Sequence, residues 1–168
     1  NIRPHTDRRV NNRKGTAKFI YRYDEIGFGN GCEIMNKTKL CEAALKALEN
    51  SYSPYSNYKV GAALLCKNGK IYTGCNIENS AFSPTICAER TAFAKAVSEG
   101  ERDFEAIAVA GGLDGQIKGE FSPCGVCRQV MAEFCDNSFK ILLVIKNGEY
   151  KEYTLGELLP DSFDLKSE

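Results

Sequence analysis

Three cysteines and one glutamate stand at spacings that suit metal chemistry. Glu89 follows Cys87 by two residues, and Cys124 and Cys127 form a Cys-x-x-Cys pair directly after Pro123. Zinc binds thiolates in a tetrahedral site, and a catalytic zinc site uses three protein ligands and leaves the fourth position to water. A carboxylate beside such a site can move protons while the metal activates the water. The pattern therefore matches what hydrolytic zinc chemistry needs.

Two other uses of these thiols stay open at this point. A structural zinc site would need a fourth ligand, but His5 is the only histidine and lies near the N terminus, and beyond Cys127 only Cys135 remains. A dithiol redox site would use the Cys-x-x-Cys pair alone, and it gives no role to Glu89. The complete set of residues favours the catalytic interpretation.

The chain is large enough for one domain with its own core. It has 168 residues, and its longest apolar runs, such as 141–145, are far too short to span a membrane. The first residues show no apolar segment of the kind that opens a secretory signal. Eight cysteines in such a chain are expected to be reduced thiols. These features predict a cytoplasmic protein with no membrane partner.

Charge is unevenly distributed along the chain. Residues 1–30 carry seven basic and three acidic side chains, a charge of +4, so the remainder carries −4. An acidic body argues against a nucleic-acid partner. Residues 1–34 show no sustained periodicity and are predicted to be an N-terminal extension, solvated or partly disordered. Residues 35–168 are predicted to form a single domain.

Apolar periodicity and turn residues predict an α/β fold. Residues 40, 43, 44, 47 and 48 repeat at helical spacing, and glycine-containing turns at 67–70 and 146–149 separate pairs of strand-like segments. This order of elements predicts a mixed sheet with helices packed on its faces. The predicted helices cover 37–49, 83–98, a segment opening at Ser122-Pro123 and a last turn at 155–159, and the predicted strands cover 58–65, 71–75, 105–110, 139–145 and 150–154.

Five sequence blocks between residues 38 and 163 give the chain its family resemblance. They read, in order, PYSNYKVGAALL, GCNIEN, ICAERTAFAKAVSEG, SPCGVCRQV and ELLPDSF. The chain resembles the small zinc-dependent cytidine deaminases, whose signature is a ligand-x-Glu motif followed by Pro-Cys-x-x-Cys. The resemblance implies a three-layer α/β fold with a five-stranded mixed sheet and helices on both faces. It also implies a homotetramer with shared active sites.

The same resemblance implies the reaction. Cys87, Cys124 and Cys127 would hold one zinc ion per chain, and Glu89 would shuttle protons. Zinc-bound hydroxide would attack C4 of free cytidine or 2′-deoxycytidine and yield uridine or 2′-deoxyuridine and ammonia, a step of pyrimidine salvage. The alternative is deamination of a related small molecule that carries a cytosine ring.

Four further residues are implied to contact substrate. Asn76 and Glu78 would hydrogen-bond the ribose hydroxyls, although both could instead serve a turn after a strand. Tyr58 would line the pocket where the family more often has Phe, or would pack as a strand aromatic. Phe163 would reach into a neighbouring subunit's site, or would merely dock the C terminus.

Arg90 has an electrostatic argument of its own. Zn²⁺ with three thiolates carries a net charge of −1, which opposes ionisation of a bound water. A guanidinium that donates to the sulfurs would offset this charge, as would the positive ends of helix dipoles. We therefore expect Arg90 to tune the charge of the thiolates rather than to be an ordinary surface arginine.

Overall fold

The computed structural model describes residues 20–22, 31–145 and 149–163, and of these it describes 20–22 and 31–36 for the backbone alone. One mixed sheet has the strand order β1-β6-β5-β4-β2-β3, with β4 and β5 parallel and the other neighbours antiparallel. The strands are β1 (Ile20–Arg22), β2 (Tyr58–Cys66), β3 (Ile71–Cys75), β4 (Phe104–Leu113), β5 (Lys140–Val144) and β6 (Glu149–Thr154). The helices are α1 (Gly31–Leu48), α2 (Ala88–Ser98), α3 (Gly125–Phe134) and α4 (Leu155–Leu158).

Helices cover both faces of the sheet. Side chains alternate along β2, so that Ala62 and Leu64 face α2 and α3, whereas Ala63 and Leu65 face α1. The larger core, around Phe93, lies on the first of these faces. The predicted three-layer α/β fold is confirmed, and the five predicted strands are present as β2 to β6.

Two strand glycines set the distance between helices and sheet. A Cβ at Gly61 would lie 2.1 Å from the carbonyl oxygen of Ala44 in α1, and a Cβ at Gly74 would lie 2.4 Å from that of Ala88 in α2. A Cβ atom does not come this close to a non-bonded backbone oxygen. The helices therefore approach the sheet closely because these positions carry no side chain.

The strand order places the starts of α2 and α3 at one edge of the sheet. β3 and β4 both run antiparallel to β2, so they run in the same direction and end at the same edge. The chain leaves β3 toward α2 and leaves β4 toward α3. The two helices that carry the predicted metal ligands therefore begin close together.

Both of these helices begin later than the sequence predicts. The backbones of Ile77 and Ile86 exchange hydrogen bonds of 2.9 and 3.0 Å, which holds residue 86 extended, so α2 begins at Ala88 and not at 83–85. Cys124 is also extended, and α3 begins at Gly125 and not after Ser122. Each of the two thiols, Cys87 and Cys124, consequently occupies the N-cap position of its helix.

β4 runs three residues beyond the predicted strand end at residue 110 and includes two glycines there. β4 continues to Leu113, with Val60 paired to Gly111 and Lys59 to Gly112. A Cβ at Gly112 would lie 2.0 Å from the carbonyl oxygen of Gln116, so the glycine allows the following turn to fold back tightly over the strand.

The N-terminal part contributes two described segments. β1 pairs antiparallel with β6 as a sixth strand, and α1 begins at Gly31, six residues before the predicted helix start at residue 37. The predicted boundary at residue 35 thus falls within α1, and the division into 1–34 and 35–168 stays a prediction. Residues 1–19 and 23–30 lie outside the described part, as do 146–148 of the predicted second hairpin turn.

Helix length also bears on membrane insertion. In the described part of the chain, no helix combines the length and the apolar character that crossing a membrane would require.

Candidate active site

Three thiols meet where α2 and α3 begin. The Sγ atoms of Cys87 and Cys124 are 3.9 Å apart, those of Cys124 and Cys127 are 3.5 Å apart, and all three lie within 4.8 Å of one another. Sulfurs bound to one tetrahedral zinc at about 2.3 Å would be about 3.8 Å apart. The described thiols therefore match a three-sulfur zinc site in donor type and in spacing.

The surroundings of the thiols favour a thiolate. Cys87 and Cys124 cap two helix N termini, where the helix dipoles stabilise negative charge. Hydrogen bonds from Cys127 above all, and from Arg90 and Cys124, lower the pKa of the Cys87 thiol to about 5. The neighbouring Cys87 and burial raise the pKa of the Cys127 thiol. The environment therefore favours deprotonation of Cys87 over that of Cys127.

Glu89 lies in the first turn of α2, two residues after Cys87. It is only 4% exposed, and this burial raises its pKa to about 7, with the nearby Cys87 thiolate adding to the effect. A carboxyl group with such a pKa exchanges its proton readily near neutral pH. The residue thus has the acid-base behaviour that a proton carrier needs.

Arg90 points toward the same cluster. Its Nη2 donates to the carbonyl oxygen of Thr85 at 2.9 Å and lies 3.9 Å from the Sγ of Cys87. Its buried Nε is without a hydrogen-bond partner among the described atoms. The guanidinium is therefore placed where the charge argument requires it, and its tuning role stays a prediction.

Most of the hydrogen-bonding capacity of the Asn76 side chain is occupied by contacts within the fold. It is 8% exposed, its Oδ1 accepts from the backbone N–H of Val60 at 2.8 Å and from the hydroxyl of Ser51 at 2.5 Å, and its Nδ2 donates to the carbonyl of Tyr58 at 2.8 Å. The oxygen has two lone pairs, and both are taken. A ribose hydroxyl could therefore engage only the second Nδ2 hydrogen.

Glu78 binds the loop that precedes β2 through hydrogen bonds to its carboxylate. Its carboxylate accepts from the backbone N–H groups of Tyr55 and Ser56 at 2.9 and 3.2 Å, and also from the Ser56 hydroxyl. These hydrogen bonds, led by that of the Ser56 hydroxyl, lower the pKa of Glu78. The half-buried carboxylate stays ionised and retains acceptor capacity for a ligand hydroxyl.

The two predicted aromatic contacts lie at the surface. Tyr58 is 47% exposed, and its ring centroid lies 6.1 Å from that of Phe121. Phe163 is 69% exposed, while its carbonyl accepts from Nε2 of Gln129 in α3 at 2.8 Å. The backbone of Phe163 is thus held against the helix of the thiol pair while its ring projects outward.

Comparison with known proteins agrees with this geometry. The family model described as "Cytidine and deoxycytidylate deaminase zinc-binding region" matches residues 35–143. The chain is 53% identical over 129 residues to a cytidine deaminase of Sporosarcina psychrophila, covering 77% of this chain and 92% of that protein. It is 48% identical over 129 residues to a cytidine deaminase of Halalkalibacterium halodurans, covering 77% and 95%.

A solved structure supports the same assignment. The cytidine deaminase of Burkholderia pseudomallei superposes with a TM-score of 0.69 at 45% identity, covering 74% of this chain and 97% of that one. The chain belongs to the cytidine deaminase family. As a member, it is a hydrolytic deaminase, and zinc is the metal that its family region binds.

Two residues near the cytidine deaminase site, Phe121 and Arg128, were not predicted from the sequence. Phe121 packs on the bare backbone of Gly111, where a Cβ would lie 2.6 Å from its ring. Arg128 contacts the segment that carries Cys124. Arg128 directly follows the second thiol of the Cys-x-x-Cys pair, but only the three-dimensional contacts distinguish it from an ordinary helical arginine.

Proposed function

We propose that the protein deaminates free cytidine and 2′-deoxycytidine to uridine and 2′-deoxyuridine, with release of ammonia. The observation that carries this proposal is the convergence of three thiols at two helix N termini beside a buried carboxyl group whose pKa is about 7. The family supports the reaction, and the nucleoside substrates are our inference. Such a reaction fits pyrimidine salvage in the cytoplasm.

Cys87, Cys124 and Cys127 are the residues that would hold zinc. Zinc bound there would supply an activated water for attack at C4 of the cytosine ring. Arg90 and the dipoles of α2 and α3 would offset the excess negative charge of the three thiolates, because a site more negative than neutral opposes loss of a proton from water.

Glu89 is proposed to move the protons. It takes one from the attacking water and delivers it to N3 as the C4–O bond forms. It then takes the remaining proton from the new C4 hydroxyl and delivers it to the amino group, so that the C4 carbonyl forms and ammonia leaves as the C4–N bond breaks. A buried carboxyl group with a raised pKa suits this work, since it is neither a strong acid nor permanently charged at neutral pH.

The ribose is proposed to bind near the start of β2. Glu78 would accept from a ribose hydroxyl, and the remaining Nδ2 hydrogen of Asn76 would donate to one. Tyr58 would form a wall against the base, backed by Phe121. An ionised carboxylate at Glu78 disfavours a phosphate at the same place, which supports nucleosides over nucleotides.

We also propose a homotetramer with shared active sites. Phe163 supports this proposal, because a large aromatic ring that is 69% exposed gains stability by packing against another surface. Its backbone is already held by Gln129, so the ring is presented outward at low entropic cost.

A zinc assay and a substrate panel test the proposal together. Purified protein should hold about one zinc per chain. It should also lower the ultraviolet absorbance of cytidine and 2′-deoxycytidine solutions, and chelation should abolish this activity. Turnover of cytosine, a cytosine nucleotide or another cytosine-containing compound in preference to both nucleosides would show that the substrate assignment is wrong. A Cys124–Cys127 disulfide in place of metal would overturn the site.

A further inference from the structure

Arg128 joins three segments of the chain through one guanidinium group. From α3, its Nε donates to the carbonyl of Pro123 at 2.7 Å, its Nη2 to the hydroxyl of Ser122 at 3.0 Å, and its Nη1 to the carbonyl of Leu158 at 2.6 Å. Pro123 and Ser122 immediately precede α3, and Leu158 ends α4. The guanidinium thus fastens the segment before α3 to the C-terminal part of the domain.

The hydrogen bond to Pro123 restrains the backbone next to Cys124. The carbonyl that accepts from Arg128 belongs to the peptide bond between Pro123 and Cys124, and the backbone N–H of Arg128 donates to the carbonyl of Cys124 at 3.0 Å. One residue therefore holds the main chain on both sides of Cys124. Cys124 itself is extended, exposed and without a side-chain cap hydrogen bond, so its orientation depends on how this main chain is held.

We propose that Arg128 is a positioning residue for the metal centre, which fixes the Cys124 thiol in place for zinc through the Pro123 peptide. The proposal rests on Cys124 being a zinc ligand. Groups that orient metal ligands without touching the metal typically change affinity by about 10- to 100-fold when they are altered.

The geometry requires arginine rather than any cation. A planar guanidinium offers donors in a fixed fork, whereas a lysine ammonium is a single compact group on a flexible stem. Lysine could reach at most part of the set formed by Pro123, Ser122 and Leu158. Arg128→Lys therefore keeps the positive charge and removes the combined set of three hydrogen bonds.

Arg102 provides a matched control. Its Nη1 donates to the backbone carbonyls of Val97 and Glu101 at 2.8 and 2.7 Å, so it also ties main-chain segments together. It lies beyond the C-terminal end of α2, about 16 Å along that helix from Cys87. Arg102→Lys removes the same kind of contact at a distance from the thiols.

The experiment measures the zinc affinity of the full-length protein by competition with a chromophoric chelator, beside thermal unfolding of the zinc-free protein. We expect Arg128→Lys to weaken zinc binding at least tenfold and Arg102→Lys to leave it within twofold of wild type. A purely structural role would lower the unfolding temperature of both variants and leave both zinc affinities unchanged. Ser122→Ala removes one of the three hydrogen-bond acceptors of Arg128 and should weaken zinc binding about threefold.

The measured zinc affinities either support or overturn the positioning role of Arg128. Zinc affinity within twofold of wild type in a folded Arg128→Lys protein overturns the proposal. If Arg128→Lys does not fold, unchanged affinity in Ser122→Ala overturns it, and a threefold loss supports it. Absence of zinc binding by the wild-type protein would instead refute the metal site itself, so the two failures are distinguishable.

Discussion

Gly74→Ala tests whether the spacing between α2 and β3 controls the active site. The added Cβ would lie 2.4 Å from the carbonyl oxygen of Ala88 and 2.5 Å from the backbone nitrogen of Ala92, both in α2. To reach even 3.0 Å from the Ala88 oxygen, the helix would have to move away by 0.6 Å. Since backbone atoms are involved, a side-chain rotation cannot relieve the contact.

The displaced part of α2 includes two of the proposed active-site residues. Cys87 caps α2 and Glu89 lies in its first turn, so both would move with Ala88. Overpacking of this kind costs about 1–3 kcal/mol of folding free energy. A displacement approaching 1 Å at reacting groups can cost about 100-fold in rate, so we expect kcat to fall between about 10- and 100-fold.

Two other glycines serve as controls. A Cβ at Gly61 would lie 2.1 Å from the carbonyl oxygen of Ala44, so Gly61→Ala should destabilise the fold through α1, which carries none of the predicted site residues. Gly119 has no atom within 4 Å of the corresponding position, so Gly119→Ala should be close to neutral.

The assay combines urea unfolding with turnover of cytidine by zinc-loaded protein. The expected pattern is loss of stability in Gly74→Ala and Gly61→Ala, with a large loss of turnover in Gly74→Ala alone. Equal losses of turnover in both variants would refute a local effect on the site. A Gly74→Ala protein with wild-type stability and rate would refute the packing argument altogether.

Three further predictions concern the carboxyl group, the C terminus and the N terminus. Glu89→Gln should retain about one zinc per chain and lose nearly all activity, because the substitution removes only the proposed proton carrier. Zinc content and turnover are measured on the same protein, and a rate near that of wild type would leave Glu89 with a structural role alone. Phe163→Ala should raise KM or weaken a tetramer while zinc stays bound, and light scattering of the native protein should give four times the 18.6 kDa chain mass; a fully active monomer would contradict the shared site. Removal of residues 1–30, which keeps α1 whole, should leave kcat within about threefold because every matched sequence block lies downstream; loss of turnover would show that this segment, including β1, is needed by the body.

The identity of the chemical groups could be predicted from the sequence because their spacing is local. The Cys-x-x-Cys pair at a predicted helix start places two thiols on one face within one turn, and Glu89 is separated from Cys87 by a single residue. Apolar periodicity likewise predicts the elements, since a strand or a helix face depends on neighbouring residues. The α/β class and the helical assignment of the residues after Cys87 follow from such local patterns.

Only the tertiary structure decided where the helices begin and what surrounds their first residues. The exchange of hydrogen bonds between Ile77 and Ile86 delays α2 and makes Cys87 its N-cap, and this pairing joins segments whose local sequence resembles a turn and a helix start. Burial of Glu89, which raises its pKa, depends on how α2 packs against the sheet. The contacts of Arg128 with Leu158 join residues 30 positions apart. Such features arise from packing between segments distant in the chain, and no local pattern encodes them.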